Sequence, residues 1–389
     1  MVKTFRLDIC LVEEQFEMVQ YVEKGRKPRW RYFPKEGHPQ AVTRFDGTRI
    51  TPGFLQAIAY EVYVKNVIFG LLHQWLGDMG MTVSENTLRN WLKKGRKYLD
   101  RMVVELKRIA LEKDAVVNCD ETWCKVRKYD RYKKCYMWVL VNKAERVVIF
   151  FYEDGSRGRD VLTNFLGDAE LKALMSDGYN AYVFIGDGLK THRYKDTDHQ
   201  VCLAHVRAKF VKARMEGGDK RADVFLDNIN RLFRFEREYD REMITDGERT
   251  RRRQGLPTME AMINLRANLL QELKSEEEQK SCYMREALNY LHKFWNEAFT
   301  YIKDGRYPIS NNLAERAVRP FTTKRKNSLH FGSDEGAEIA AVYHSIISTV
   351  KLQGRSAWDY LGKFFTGIFN GCRDFLSLTP QNIDLAVCQ

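Results

Sequence analysis

AVVNCDETWCKV, residues 115–126, sets an acid in the middle of a β-branched and aromatic run that otherwise suits burial. Two similar runs follow, CYMWVLVN at 135–142 and RVVIFFYEDG at 146–155, separated by polar residues. Three such runs in succession predict a meander of three strands. Asp120 then lies at the heart of the first strand. An isolated buried carboxylate is very costly unless it is paired or binds a cation, so Asp120 needs either a lysine or arginine, or a metal. Its neighbour Glu121 has to face the other side, because successive side chains alternate along a strand.

Outward from this meander, SRGRDVLTNFLGD (156–168) reads as a short helix. LKALMSDGYNAYVFIGDG (171–188) reads as one or two short strands ending in Asp-Gly turns. Asp177 and Asp187 both precede glycine there, and the local pattern does not choose between them. HQVCLAHVRAKFVKARM (199–215) begins as a strand and becomes a helix, and residues 220–305 are helical in pattern. Two more helices are expected at 334–352 and 356–370, the first capped by Ser333 with Asp334 and Glu335 in its opening turn.

Between them lies PISNNLAERAVRPFTTKRK (308–326). Ser310 is the expected N-cap, Leu313, Ala314, Ala317 and Val318 form an apolar stripe, and Pro320 makes continuing the helix costly. Asn311, Glu315 and Arg319 share one face at spacings of four. Glu315 is therefore either half of an ordinary surface ion pair with Arg319 or a residue facing a site. With Asp120 and Asp177 it makes three carboxylates from two strands and a helix. Hard oxygen ligands with open positions suit Mg²⁺. Two such ions about 4 Å apart serve phosphodiester chemistry.

The chain has 389 residues, 44% hydrophobic and 30% charged, which is the composition of a soluble globular protein of two or three domains. No apolar run approaches a membrane span, and the charged N-terminus does not resemble a signal peptide, so a cytoplasmic protein without membrane contact is expected. Eight cysteines, at 10, 119, 124, 135, 202, 282, 372 and 388, form no CxxC pair, which argues for free thiols and against a four-ligand zinc site. The net charge of +12 favours a polyanionic partner. Basic residues cluster at 89–108, 249–253 and 316–326. GMTVSENTLRNWLKKGRKYL (80–99) looks like the second half of a helix-turn-helix, with Gly80 as the break and Ser84 as N-cap. Arg89, Lys93, Lys94, Arg96 and Lys97 lie on its polar face. An ordinary amphipathic helix has the same pattern. A single helix is expected over 53–76, and weak strand character surrounds RWRYF.

CDETW…KV, SDGYNAY, VCLAHVRAKF and above all DGRYPISNNLAERAVRPFTTKRKNSLHFGSDEGAEIAA resemble the transposases of the insertion sequence 66 family, collinearly from about residue 55 to 375. The resemblance implies a DDE transposase, a Mg²⁺-dependent polynucleotidyl transferase with Mn²⁺ as substitute. Its α/β core would be a ribonuclease-H-like mixed sheet interrupted by a helical insertion. By motif position the triad falls on Asp120, Asp177 and Glu315, with Asp177 preferred to Asp187. Cys202 and His205 match a CxxH element of related transposases and take a supporting role. Arg316, Arg319, Lys324 and Arg325 would hold phosphates near the site. The implied partners are transposon-end DNA and target DNA, a homo-oligomer assembled on DNA, and accessory proteins of the same element. The expected order is an N-terminal helical DNA-binding region (1–110), the core's first part (111–212), the insertion (213–307), the core's second part (308–352) and a helical tail (353–389). Two departures from the family pattern stand out. Members generally carry a cysteine-rich N-terminal element, and without a CxxC pair that segment is expected to be absent or rebuilt; the paired basic residues after CxxH are reduced to Arg207 followed by Ala208. A catalytically inactive DNA-binding copy and a metal-dependent nuclease are the alternatives.

Overall fold

The alternating and β-branched runs become strands, and the charged amphipathic stretches become helices. The computed structural model describes residues 11–12, 18–22, 24–25, 27, 29–32, 45, 48, 50–187, 190, 193–275 and 280–384. Cys10 and Cys388 lie outside the described residues; the other six cysteines are free thiols. In chain order, β1 (Met18–Tyr21) and β2 (Arg29–Tyr32) pair antiparallel, and the second contains the expected RWRY strand. Helices α1 (Pro52–Tyr63), α2 (Phe69–Asp78) and α3 (Glu85–Ala110) follow. The single helix expected over 53–76 is thus two, divided at Asn66, whose φ of 60° no continuous helix accommodates. Thr51 caps α1 through Phe54 N at 3.1 Å, and Ser84 accepts from Thr87 N at 3.1 Å at the start of α3.

The meander appears as β3 (Val116–Arg127), β4 (Tyr132–Asn142) and β5 (Val147–Glu153). After α4 (Arg159–Leu166) come β6 (Ala173–Ser176), β7 (Asp198–Val201) and α5 (Leu203–Met215). The expected helical stretch is α6 (Ala222–Glu242), α7 (Asp246–Arg253), α8 (Leu256–Lys274), α9 (Cys282–Lys293) and α10 (Trp295–Phe299). Then come α11 (Asn312–Ser328), α12 (Asp334–Leu352) and α13 (Ala357–Phe369). Ser333 caps α12 through Gly336 N at 3.1 Å. No helix among the described residues is long and apolar enough to cross a membrane.

The chain divides into two compact units, residues 1–105 with 342–389, and residues 106–341. In the first unit α1 packs on α13, and Tyr343 stacks on Tyr63 at 4.4 Å while its hydroxyl donates to Leu92 O at 2.9 Å. Gly95 makes that approach possible, since a Cβ there would collide with the Tyr343 hydroxyl. The second unit is a mixed α/β assembly built on a five-stranded sheet of order β5-β4-β3-β6-β7. The meander pairs antiparallel, whereas β6 and β7 join in parallel. Met137 to Val141 in β4 are all fully buried, so the sheet's centre is the core. A second apolar cluster unites α5 with the insertion through Phe210, Phe225, Leu265, Leu288 and Leu291. The insertion is therefore packed onto the unit that carries the sheet.

Candidate active site

β3 and β6 run parallel with Asn118 opposite Met175. Two residues further along each strand direction stand Asp120 and Asp177, so the register itself sets both aspartates at the same level, where β6 ends. Asp177 lies just past the end of β6. Its Oδ1 accepts from Tyr179 N at 3.0 Å, which is the turn duty its Asp-Gly setting suggests. The same turn is held from the insertion: Gly178 N donates to the Tyr290 hydroxyl at 3.0 Å. A Cβ on Gly178 would come within 2.5 Å of that hydroxyl and 2.6 Å of Phe294. Only glycine lets α9 sit this close to Asp177.

Glu315 occupies the first turn of α11, and both ends of that helix are tied to β3. At the N-terminus the fully buried Asn311 donates from Nδ2 to Cys119 O at 2.8 Å and accepts from Asn118 Nδ2 at 2.9 Å. Beyond the C-terminus, Phe331 exchanges backbone hydrogen bonds with Lys125 and Arg127, both at 2.8 Å. The expected N-cap, Ser310, is replaced by Asn311, whose side chain serves β3 and makes no capping bond. Pro320 does not end the helix either. α11 continues to Ser328, although Pro320 cannot donate to the Arg316 carbonyl. Packing offsets that loss: Val318 and Phe321 are buried, and Phe321 meets the Phe150 ring at 4.8 Å.

The carboxylates influence one another. Asp120 has its pKa pushed up to about 7, mostly by burial and then by Glu121, with Asp177 and Glu315 adding to the rise. Its Oδ1 accepts from Glu121 N at 2.9 Å, which only partly offsets these effects. Glu121, its side chain 1% exposed, has its own partners: Arg157 donates from Nε at 2.6 Å, and the Tyr182 hydroxyl donates as well. Burial still pushes the Glu121 carboxyl up. Arg157 also stacks over Tyr179 at 3.8 Å, next to Asp177. Asp187 sits apart and pairs with Lys190 at 2.8 Å.

Glu315 does not pair with Arg319; its neighbour is His205, with Nδ1 at 3.8 Å. Among the described residues, two groups bring three ligand-capable atoms within 4.8 Å of one another: Cys202–His205–Glu315 and Cys135–Asp154–Asp334. Asp120 and Asp177 belong to neither, so the three acids of the expected triad share a field but stand apart. Mutual repulsion between like charges favours that spacing. The all-oxygen donor set fits a hard divalent ion, which would draw the three together. Cys202 is the N-cap of α5, and its sulfur accepts from Asn311 N at 3.1 Å; burial pushes its thiol up to about 11.

The basic residues fall into distinct settings. Arg316 and Arg319 are exposed beside Glu315 on α11. Arg325 stacks on Trp123 at 3.9 Å and donates to its carbonyl at 2.8 Å. Lys324 lines a small pocket with Trp123, Phe321 and Phe331, and desolvation pulls its pKa down to about 7. On α3, Arg89 pairs with Glu85 at 2.5 Å and Arg96 with Asp100 at 3.3 Å, while Lys93 and Lys97 are exposed and Lys94 is half-buried. The cluster at 249–253 is internal to the insertion. Arg249 pairs with Glu236 and Asp240, Arg251 with Glu248, and Arg252 with Glu242 and Glu248. The buried Arg253 grips Glu236 and the carbonyls of Tyr301 and Asp304.

Three residues that shape this site were not singled out by sequence reasoning: Asn311, Tyr290 and Arg157. Asn311 stood in plain view in the SNN motif, yet helical spacing assigned it only to a face. Tyr290 and Arg157 carry no local signal, because their roles depend on contacts 112 and 36 residues away.

Acidic side chains gathered at the parallel strand ends and on a helix laid along the sheet define a mixed α/β protein with a carboxylate-centred site. The chain belongs to the Transposase IS66 family, whose model matches residues 47–339. It is similar to two uncharacterized proteins of Sinorhizobium fredii. One, y4jD, is 26% identical over 350 residues, covering 85% of this chain and 65% of the relative. The other, y4qI, is 27% identical over 239 residues, covering 61% of this chain and 43% of the relative. The chain thus spans between two fifths and two thirds of the length of these relatives.

Proposed function

We propose that the chain is a DNA transposase that cleaves at the ends of its element and joins the freed 3′-hydroxyl to target DNA. The sheet and α11 would form a ribonuclease-H-like core, with Asp120, Asp177 and Glu315 holding two Mg²⁺ ions, or Mn²⁺ in their place. When bound, the ions would activate the attacking water or 3′-hydroxyl and stabilise the leaving oxygen. The reading is supported by the family match over residues 47–339 together with the β3–β6 register, which sets Asp120 level with Asp177, and by the Asn311 bonds that hold the start of the Glu315 helix on β3.

Each residue of the chain has a physical part in this reading. Asp120 is the central carboxylate, shared between the other two. Tyr179 N and the Tyr290–Gly178 contact fix the loop that presents Asp177. Asn311 fixes the start of α11 on β3 and so sets where Glu315 points. His205, 3.8 Å from Glu315, orients that carboxylate, and Cys202 anchors the turn that carries His205. Arg316 and Arg319, exposed on the same helix, are placed to hold phosphates, and α3 offers a second basic surface for DNA. Transposon-end DNA, target DNA, a homo-oligomer on DNA and accessory proteins are the partners this function requires.

The test is strand transfer of element-end DNA into a target in Mg²⁺. Glu315→Gln keeps the side chain's shape and one oxygen but loses the charge a hard divalent ion requires. Its joining activity is expected to fall by at least ~10³-fold, about 4 kcal/mol of barrier, with DNA binding retained. A Glu315→Gln protein that still joins ends to target refutes the proposal. Nicking without joining in the unaltered protein favours a nuclease instead.

A further inference from the structure

Cys202 and His205 lie within one turn at the start of α5, and Glu315 reaches them from the first turn of α11. Their ligand-capable atoms all lie within 4.8 Å of one another. His205 Nδ1 is 3.8 Å from Glu315 and is buried without a hydrogen-bond partner. Cys202 Sγ accepts a backbone N–H from Asn311 at 3.1 Å. The His205 and Glu315 side chains are 41% and 38% exposed, so the cluster opens to solvent on that side.

We propose that Cys202, His205 and Glu315 form a binding site for a thiophilic divalent cation of the zinc type. Two residues in a CxxH spacing are too few for zinc, and the fold supplies the third. Sulfur, imidazole and carboxylate with one open position is a recognised kind of zinc donor set, with metal–ligand distances of roughly 2.0–2.3 Å. Ligand atoms around such an ion stand roughly 3.3–3.8 Å apart, so side-chain rotations suffice to close the site. Binding would release the Cys202 thiol proton to solvent, leave His205 neutral with Nδ1 on the metal, and use the Glu315 carboxylate as it stands. Mg²⁺ would not compete well for this set, because it prefers oxygen ligands throughout.

A consequence rests on the proposed role of Glu315. Zinc held here withdraws Glu315 from Asp120 and Asp177, so zinc should inhibit Mg²⁺-dependent cleavage.

The experiment is a Co²⁺ titration of the full chain without DNA, followed by absorption and then by displacement with Zn²⁺. A thiolate charge-transfer band that accounts for one Co²⁺ per chain is expected. Cys202→Ser should lose that band and bind at least ~100-fold more weakly, and His205→Gln should keep the band but bind at least ~10-fold more weakly. Asp120→Asn should leave both unchanged. Absence of a sulfur band, or a band that survives Cys202→Ser, overturns the site. If the band behaves as expected but equimolar Zn²⁺ leaves Mg²⁺-dependent cleavage intact, the zinc site stands and the role of Glu315 in cleavage falls.

Discussion

The helical insertion and the strand ends of the sheet treat charge in opposite ways. In the insertion, Glu248 is held down to about 2 by Arg251 and Arg252, and Arg253 and Glu236 satisfy each other in the interior. At the strand ends, Asp120 is pushed up to about 7 by burial and by Glu121, with Asp177 and Glu315 adding to it. The densest basic run of the sequence closes on nearby acids and holds one element together. Three acids scattered over nearly two hundred positions share one field, where burial and neighbouring carboxylates rather than a cation dominate at Asp120, and that imbalance suits a cation from outside.

The largest expected effects separate the two regions cleanly. Asp120→Asn and Asp177→Asn should each reduce Mg²⁺-dependent cleavage by at least ~10³-fold while leaving DNA binding near normal. Arg253→Ala should do the converse, costing about 3–5 kcal/mol of stability in urea denaturation because it breaks a buried ion pair and leaves the buried Glu236 to Arg249 alone. An Arg253→Ala protein as stable as the parent, or an active Asp120→Asn protein, would erase the contrast.

A smaller effect lies in the pH dependence of stability. Asp120 is raised from 3.8 to about 7 on folding, so its favourable contribution is complete below 3.8 and is lost as pH rises through 7. In the absence of divalent ions, Asp120→Asn should therefore be more stable than the parent at pH 8, by on the order of 2–4 kcal/mol, and the difference should vanish near pH 4. Glu248 has the opposite sign: its contribution is present above 4.5 and is lost as pH falls through about 2. Chemical denaturation at both pH values checks the difference; equal stabilities at pH 8 would mean that burial and neighbouring carboxylates do not penalise the Asp120 charge.

The two regions also meet at Gly178. Gly178→Ala drives a methyl into Tyr290 and Phe294, which should cost about 1–3 kcal/mol and raise the Mg²⁺ concentration needed for cleavage. A variant with an unchanged Mg²⁺ requirement would remove the insertion from any part in positioning Asp177. The smallest effect belongs to the exposed arginines. Charge removal at Arg316 or Arg319 should lower the salt slope of DNA binding by about 1 each, whereas Arg251→Ala, already paired within the insertion, should leave it unchanged.

Much of this was legible in the sequence. The meander around Asp120 could be read because β-branched runs between polar turns leave little choice, and the cap at Ser333 because its chemistry is local. Two failures share a cause. Ser310 and Pro320 were read by local rules, but α11 is fixed by bonds to β3 from Asn311 and Phe331, so tertiary contacts override both the preferred cap and the cost of proline. The role of the cluster at 249–253 was open in the sequence for the same reason, since its acidic partners at 236, 240 and 242 lie on the preceding helix. His205 could be named from its CxxH spacing, but its neighbour Glu315 is 110 positions away and only the fold joins them.

Mn²⁺ binding to the protein alone, read from loss of the free-ion electron paramagnetic resonance signal, tests the shared carboxylate site most directly. Asp120→Asn, Asp177→Asn and Glu315→Gln are each expected to weaken binding at least ~10-fold, while Asp187→Asn binds like the parent. Parent-like binding by all three, or loss confined to Asp187→Asn, would contradict the account.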